Sequence, residues 1–360
     1  MRTGYADLPL HGGKAPKWLF ERMVKLSTVI VEALLTEFSR EEFLKRISDP
    51  VWFQSLGNVL GFDWHSSGLS TVTAGAIKEA IRKISKTTGL FAAGGKGKYA
   101  LKTPDTILNY AEKYSFNPLP LIKASRLSAK VDNSCIQDGF SIYHHTIFFT
   151  DNGKWSVVQQ GLKSMNKRAR RYHWLSDKVI DFAEEPHTGI DGGGKGKKVL
   201  NLISKNSKKN KAGIIEILRQ KPEKFEKEIV KLIMPSHHNI EISDILFKNL
   251  KKISLKAYSS EITEFIDILN IKGTGPKTLR ALSLTAAVIY GVKPSFEDPV
   301  IFSYAHGGKD GTPYPVDRKN YDRTIEVIGK AIKKSKMGNR EKMETLKRLS
   351  NKFIGGENGL

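Results

Sequence analysis

Cysteine is nearly absent from this chain: Cys135 stands alone among 360 residues. No disulfide can close within the chain, and no zinc or iron–sulfur site built on several cysteines is possible. Long apolar runs are missing too. No stretch of about 18 apolar residues occurs, and the opening MRTGYADLPLHGGKAPKW has no apolar h-region, so the expected location is cytoplasmic with no membrane contact. Acidic residues are in short supply: 37 Asp+Glu face 59 Lys+Arg, a formal net charge of +22. A Lys-rich surface of the heat-stable kind would carry matching Glu. The excess instead asks for an anionic partner, which a folded basic protein gains by releasing counterions from phosphates. The hydrophobic fraction of 39%, with 17 Phe and 5 Trp, excludes a disordered basic tail.

Composition divides the chain. Residues 1–190 are rich in aromatics, His and Gly; residues 191–211 hold seven Lys against one Asp and read as a mobile, phosphate-seeking linker or loop; residues 212–352 read as helical, and 353–360 as a flexible tail. In the first region WLFERMVKLSTVIVEALLTEF, SREEFLKRI and TAGAIKEAIRKIS have helical spacing, with Ser39 and Glu42 in a capping-box pattern. FSIYHHTIFFTDNGKWSVVQQGL then turns β-branched and aromatic, with Asp151-Asn152-Gly153 marking a hairpin. In the last region EILRQKPEKFEKEIVKLIM and SSEITEFIDIL are predicted helices, the second capped by Ser259 or Ser260. The expected fold is α+β: an N-terminal α+β domain with a β-hairpin, followed by an all-α domain.

EFIDILNIKGTGPKTLRALSLTAAVIYG predicts two helices, the first ending near Leu269 and the second starting near Pro276 or Lys277. Gly273 and Gly275 between them permit a tight turn and close approach of another surface. Pro276 suits the first helical turn, and the free N–H groups there suit a phosphate. Lys272, Lys277 and Thr278 complete a backbone-gripping set that reads no bases. This segment resembles the hairpin of helix-hairpin-helix DNA glycosylases of the endonuclease III type. The resemblance extends to Pro315-Val316-Asp317-Arg318 before an apparent helix, after a long insert, PSFEDPVIFSYAHGGKDGTPY. It implies that Lys277 is the amine nucleophile and Asp317 the catalytic carboxylate of a base-excision or abasic-site-lyase reaction that needs no cofactor. A carboxylate would stabilise the charge developing on the sugar, and an amine would pass through a Schiff base. The same turn could equally grip DNA and nothing more, with Asp317 as a helix cap.

The N-terminal region holds a second constellation. Asp132, Asp138, His144 and His145 lie near or on the expected hairpin, with Gln159 and Gln160 on the partner strand. Adjacent His144 and His145 should face opposite sides of a strand, so only one can share a site with Asp138. An acid plus His could hold Mg²⁺ or Mn²⁺ for a structure-specific nuclease; satisfied core histidines and turn aspartates are the simpler reading. In LKSMNKRARRYHW, Lys167, Arg168, Arg170 and Arg171 stand beside Tyr172 and Trp174, a mixture suited to a backbone groove with base stacking. Gly-Gly next to Lys recurs at His11–Lys14, Gly94–Lys98 and His306–Lys309; none is a Walker A sequence, and no nucleotide hydrolysis is expected. MRTGYADLPLHGGKAPKWLFERM, DPVWFQSLGNVLGFDWHSSG, DNSCIQDGFSIYHHTIFF and ARRYHWLS resemble, over nearly the full length, an archaeal and bacterial family of unknown function, which implies no activity. The sequence therefore predicts a DNA-processing protein of repair type, with a metal-dependent nuclease and a non-enzymatic DNA-binding factor as alternatives. Backbone gripping would serve RNA as well.

Overall fold

The computed structural model describes residues 15–62, 66–163, 165, 168–192, 198–224 and 247–300, with positions 326, 330, 332, 333 and 343 beyond them. Four helices come first: α1 (Lys17–Glu37), α2 (Arg40–Ile47), α3 (Pro50–Val59) and α4 (Gly68–Thr88). Ser39 accepts the Glu42 N–H at 3.1 Å and starts α2 where its pattern predicts. Strand β1 (Leu90–Lys96) leads through α5 (Lys98–Leu101), α6 (Thr103–Tyr114) and α7 (Leu119–Ser134) to β2 (Ile136–Gln137). Then β3 (Ser141–Thr150), β4 (Trp155–Lys163), β5 (Arg168–Leu175) and β6 (His187–Asp191) run as an antiparallel meander. The β3–β4 hairpin turns at Asp151–Gly153, with Gly153 N donating to the Thr150 carbonyl at 3.0 Å.

The five-stranded sheet has the order β1-β3-β4-β5-β6. Alternate residues serve two cores. Leu90, Ala92, Phe148, Val158 and Leu175 pack under α1–α4. Phe91, Ile147, Phe149, Val157, Tyr172 and Trp174 face the other way. Helices therefore cover both faces, and the strands read as nearly continuous buried runs.

The second core continues through β7 (Leu200–Asn201), α8 (Lys208–Arg219), α9 (Phe247–Ser259), α10 (Phe265–Asn270) and α11 (Pro276–Tyr290). Ile214, Ile253, Ile268 and Leu282 belong to the same cluster as the sheet residues, so this core crosses positions 190 and 211, where composition changes. The described part of the Lys-rich stretch is no mobile linker. Val199, Leu200, Leu202 and Ile203 are buried, β7 pairs with β2, and the Lys211 ammonium reaches inward to the Ala183 carbonyl. Two helix boundaries also differ from the expected ones. Ser259 and Ser260 end α9, and α10 starts instead after Glu264, whose N–H, with that of Thr263, donates to Asp267 Oδ2 at 2.8 and 2.9 Å. α8 stops at Arg219, three residues before Pro222.

Candidate functional site

The turn between α10 and α11 is held from beneath. Ile271 and Thr274 are buried, and Thr274 N closes the turn on the Ile271 carbonyl at 3.1 Å. Gly273 has φ +105°, where a β-carbon would be strained. Three side-chain donors take the turn's carbonyls: Asn249 Nδ2 that of Gly273 at 3.3 Å, the Lys130 ammonium that of Thr274, and Gln137 Nε2 that of Pro276 at 2.7 Å. Asn249 also donates to Thr278 Oγ1 at 3.1 Å. In a trans peptide the N–H points opposite to the carbonyl, so the amide of Gly275 is aimed away from Lys130. α11 begins there with Pro at its first position and no side-chain cap. Lys272, Lys277 and Arg280 are exposed around it, with Arg280 Nε steadied on Gln137 Oε1 at 2.8 Å. A β-carbon on Gly275, at φ −140°, would meet nothing within 4 Å. Asp317, the carboxylate implied for Lys277, lies outside the described residues, as do the Gly-Gly-Lys sites near positions 11 and 306.

Four members of the basic-aromatic run are inside the sheet and not on a surface. Residues 168–175 form β5, an inner strand covered on both faces, and Arg170, Arg171, Tyr172 and Trp174 are at most 1% exposed. Arg170 forks onto Asp298 with two bonds of 2.9 Å, reaches Asp138 Oδ2 at 2.8 Å, and stacks 4.7 Å from the Phe140 ring. Arg171, on the opposite face, pairs with Asp191 at 3.0 Å and donates to Ser70 Oγ at 3.1 Å. Burial pushes the Asp191 carboxyl up to about 7, against the pull of Arg171. Period-2 alternation thus spends these arginines on internal carboxylates. Arg168 is half-buried at the strand's start, and Lys167 lies outside the described residues.

Asp132, Asp138, His144 and His145 do not form one site. The two histidines face opposite sides of β3. His144 lines a cavity of 750 Å³ with Lys78, Lys96, Tyr143 and the start of α4. Burial, then His145, Lys78 and Lys96, push its pKa down to about 3. His145 looks the other way, with Nδ1 2.8 Å from Gln159 Oε1 and Nε2 2.9 Å from Ser125 Oγ. Asp132 accepts from His187 Nε2 at 2.5 Å, Trp174 Nε1 at 3.0 Å and the Gln159 amide. Asp138 is engaged by Arg170, by Tyr172 Oη at 2.9 Å and by Phe140 N at 2.9 Å. Among the described residues no three His, Cys, Asp or Glu side chains converge as metal ligands.

Five participants were not singled out by sequence: Ser125 opposite His145, Lys130, Gln137 and Asn249 holding the turn, and Arg280 beside it. Ser125, Lys130, Gln137 and Asn249 become neighbours of their partners only through the fold. The one available signal is helical spacing on α7, where Ser125, Ala129 and Asn133 fall on one face. No helix among the described residues is long and apolar enough to cross a membrane.

A family model described as "Protein of unknown function (DUF763)" matches residues 4–316. No curated protein and no solved structure matches the chain.

Proposed function

The chain belongs to the DUF763 family of proteins of unknown function, and we propose that it binds nucleic acid, most directly DNA, by gripping the phosphodiester backbone with the α10–α11 turn. One observation carries this reading: side-chain donors hold the turn's carbonyls, the Lys130 ammonium that of buried Thr274, while the amide of Gly275 points away from Lys130, between exposed Lys272, Lys277 and Arg280. An outward amide at a helix start with no side-chain cap is a donor for an anion, and flanking cations add affinity. The net charge of +22 supplies the long-range attraction. Such a grip reads charge and shape, so duplex DNA and RNA compete for it.

Gly275→Val tests the grip cleanly. Its β-carbon has open space and an extended backbone, so the fold should keep its thermal midpoint. The added methyls stand where a phosphate would approach that amide, and DNA affinity should fall at least about tenfold, the equivalent of one lost charge-assisted hydrogen bond. Wild-type affinity in a folded Gly275→Val protein would remove the turn from the interface.

A further inference from the structure

Beside the turn, α7 presents Ser125, Ala129 and Asn133 to a cavity of 790 Å³, with Arg126 and Lys130 on the same wall and His145 across from them. Lys130 belongs to both places, since it also holds the Thr274 carbonyl of the turn. Ser125 and His145 are buried, yet both line this cavity.

The proton positions follow from the chain of partners. The Asp132 carboxylate accepts, so the group Gln159 turns toward it is the amide NH₂. That leaves Gln159 Oε1 facing His145 Nδ1 at 2.8 Å, and a carbonyl oxygen can only accept, so Nδ1 carries the hydrogen. Nε2 then holds the lone pair, and the Ser125 hydroxyl, 2.9 Å away, donates into it. Burial keeps this imidazole neutral by lowering its pKa. A serine hydroxyl donating to a neutral, tautomer-locked histidine is the arrangement of an activated nucleophile and its base.

We infer that Ser125 is a nucleophile with His145 as its general base, and that the cavity takes a phosphate ester. Ser125 Oγ bonds to phosphorus while its proton passes to His145 Nε2. The bond from phosphorus to the leaving alcohol breaks, and that alkoxide takes the proton from His145. Water, deprotonated by His145, then attacks the phosphoserine and returns Ser125 with its proton. The sum is ester plus water giving alcohol plus phosphate. Gln159 and Asp132 are positioning residues that lock the tautomer. The phosphate class rests on the nucleic-acid reading and on Arg126 and Lys130 at the wall; the nucleophile does not.

A fluorophosphonate probe tests the nucleophile without any nucleic acid. Incubated with the full chain, it should lose fluoride and leave one adduct, mapped by mass spectrometry to Ser125. Labelling should fall at least about a hundredfold in Ser125→Ala and in His145→Gln, the usual loss on removing a general base. Ser128→Ala, one turn along α7, should label as wild type. An unlabelled wild-type protein, an adduct elsewhere, or a folded His145→Gln protein labelled at the wild-type rate would overturn the assignment. For the substrate class, p-nitrophenyl phosphate and bis(p-nitrophenyl) phosphate are compared with p-nitrophenyl butyrate. Phosphate-ester turnover lost in Ser125→Ala supports it; butyrate turnover alone, or no phosphate-ester turnover, overturns it. Labelling of a protein that binds no DNA would keep the nucleophile and sink the grip.

Discussion

His144 and His145 are neighbours in the chain and belong to different halves of the molecule. The pleat sends one toward α4 and the other toward α7, and that separation was legible from strand geometry alone. What each histidine meets was not, because Ser125 and Lys78 arrive from distant helices. Burial holds His144, His145 and His173 neutral, with pKa values below the ordinary 6.5 and that of His144 at about 3. The unfolded chain therefore binds protons first as pH falls through 6.5, and stability drops with acid across that window. In urea titrations between pH 6.5 and 4, His144→Gln should lose stability less steeply than wild type, by about 1.4 kcal/mol per pH unit. Equal slopes would mean that His144 is protonated in the fold.

At the scale of elements, β5 shows where local reading stops. The hairpin at Asp151–Gly153, the cap at Ser39 and the turn between α10 and α11 are local, and residue types within a few positions fix them. The α+β class followed from the change of period after α7. ARRYHW, by contrast, has the composition of a basic surface and the position of an inner strand, and only coverage of both faces by helices decides between them. Likewise the lysines of 198–211 mask the buried Val199, Leu200, Leu202 and Ile203. Because Arg170 faces two buried carboxylates, Arg170→Met should leave Asp138 and Asp298 uncompensated and destabilise the protein by about 3–5 kcal/mol. Urea unfolding measures this directly, and a loss below about 1 kcal/mol would contradict the packing described.

For the whole molecule, the interior neutralises itself. Among the described residues the buried cations are Arg46, Arg170, Arg171 and Lys211, and the buried anions are Asp132, Asp138, Asp191 and Asp298. The buried charges of the described residues thus cancel, four against four, and leave the excess of +22 undiminished. Charge sign was legible from composition; the anchoring of one turn with Lys272, Lys277 and Arg280 around it was not, because it depends on Asn249, Lys130 and Gln137 coming together. The most direct measurement is the salt dependence of DNA affinity for wild type and for Lys272→Ala/Lys277→Ala. Wild type should give a steep linear fall of log affinity with log salt. The double variant should be shallower by about two units, since each lost phosphate contact removes about 0.9. Identical slopes, or a wild-type affinity indifferent to salt, would contradict the claim that this turn holds a phosphate backbone.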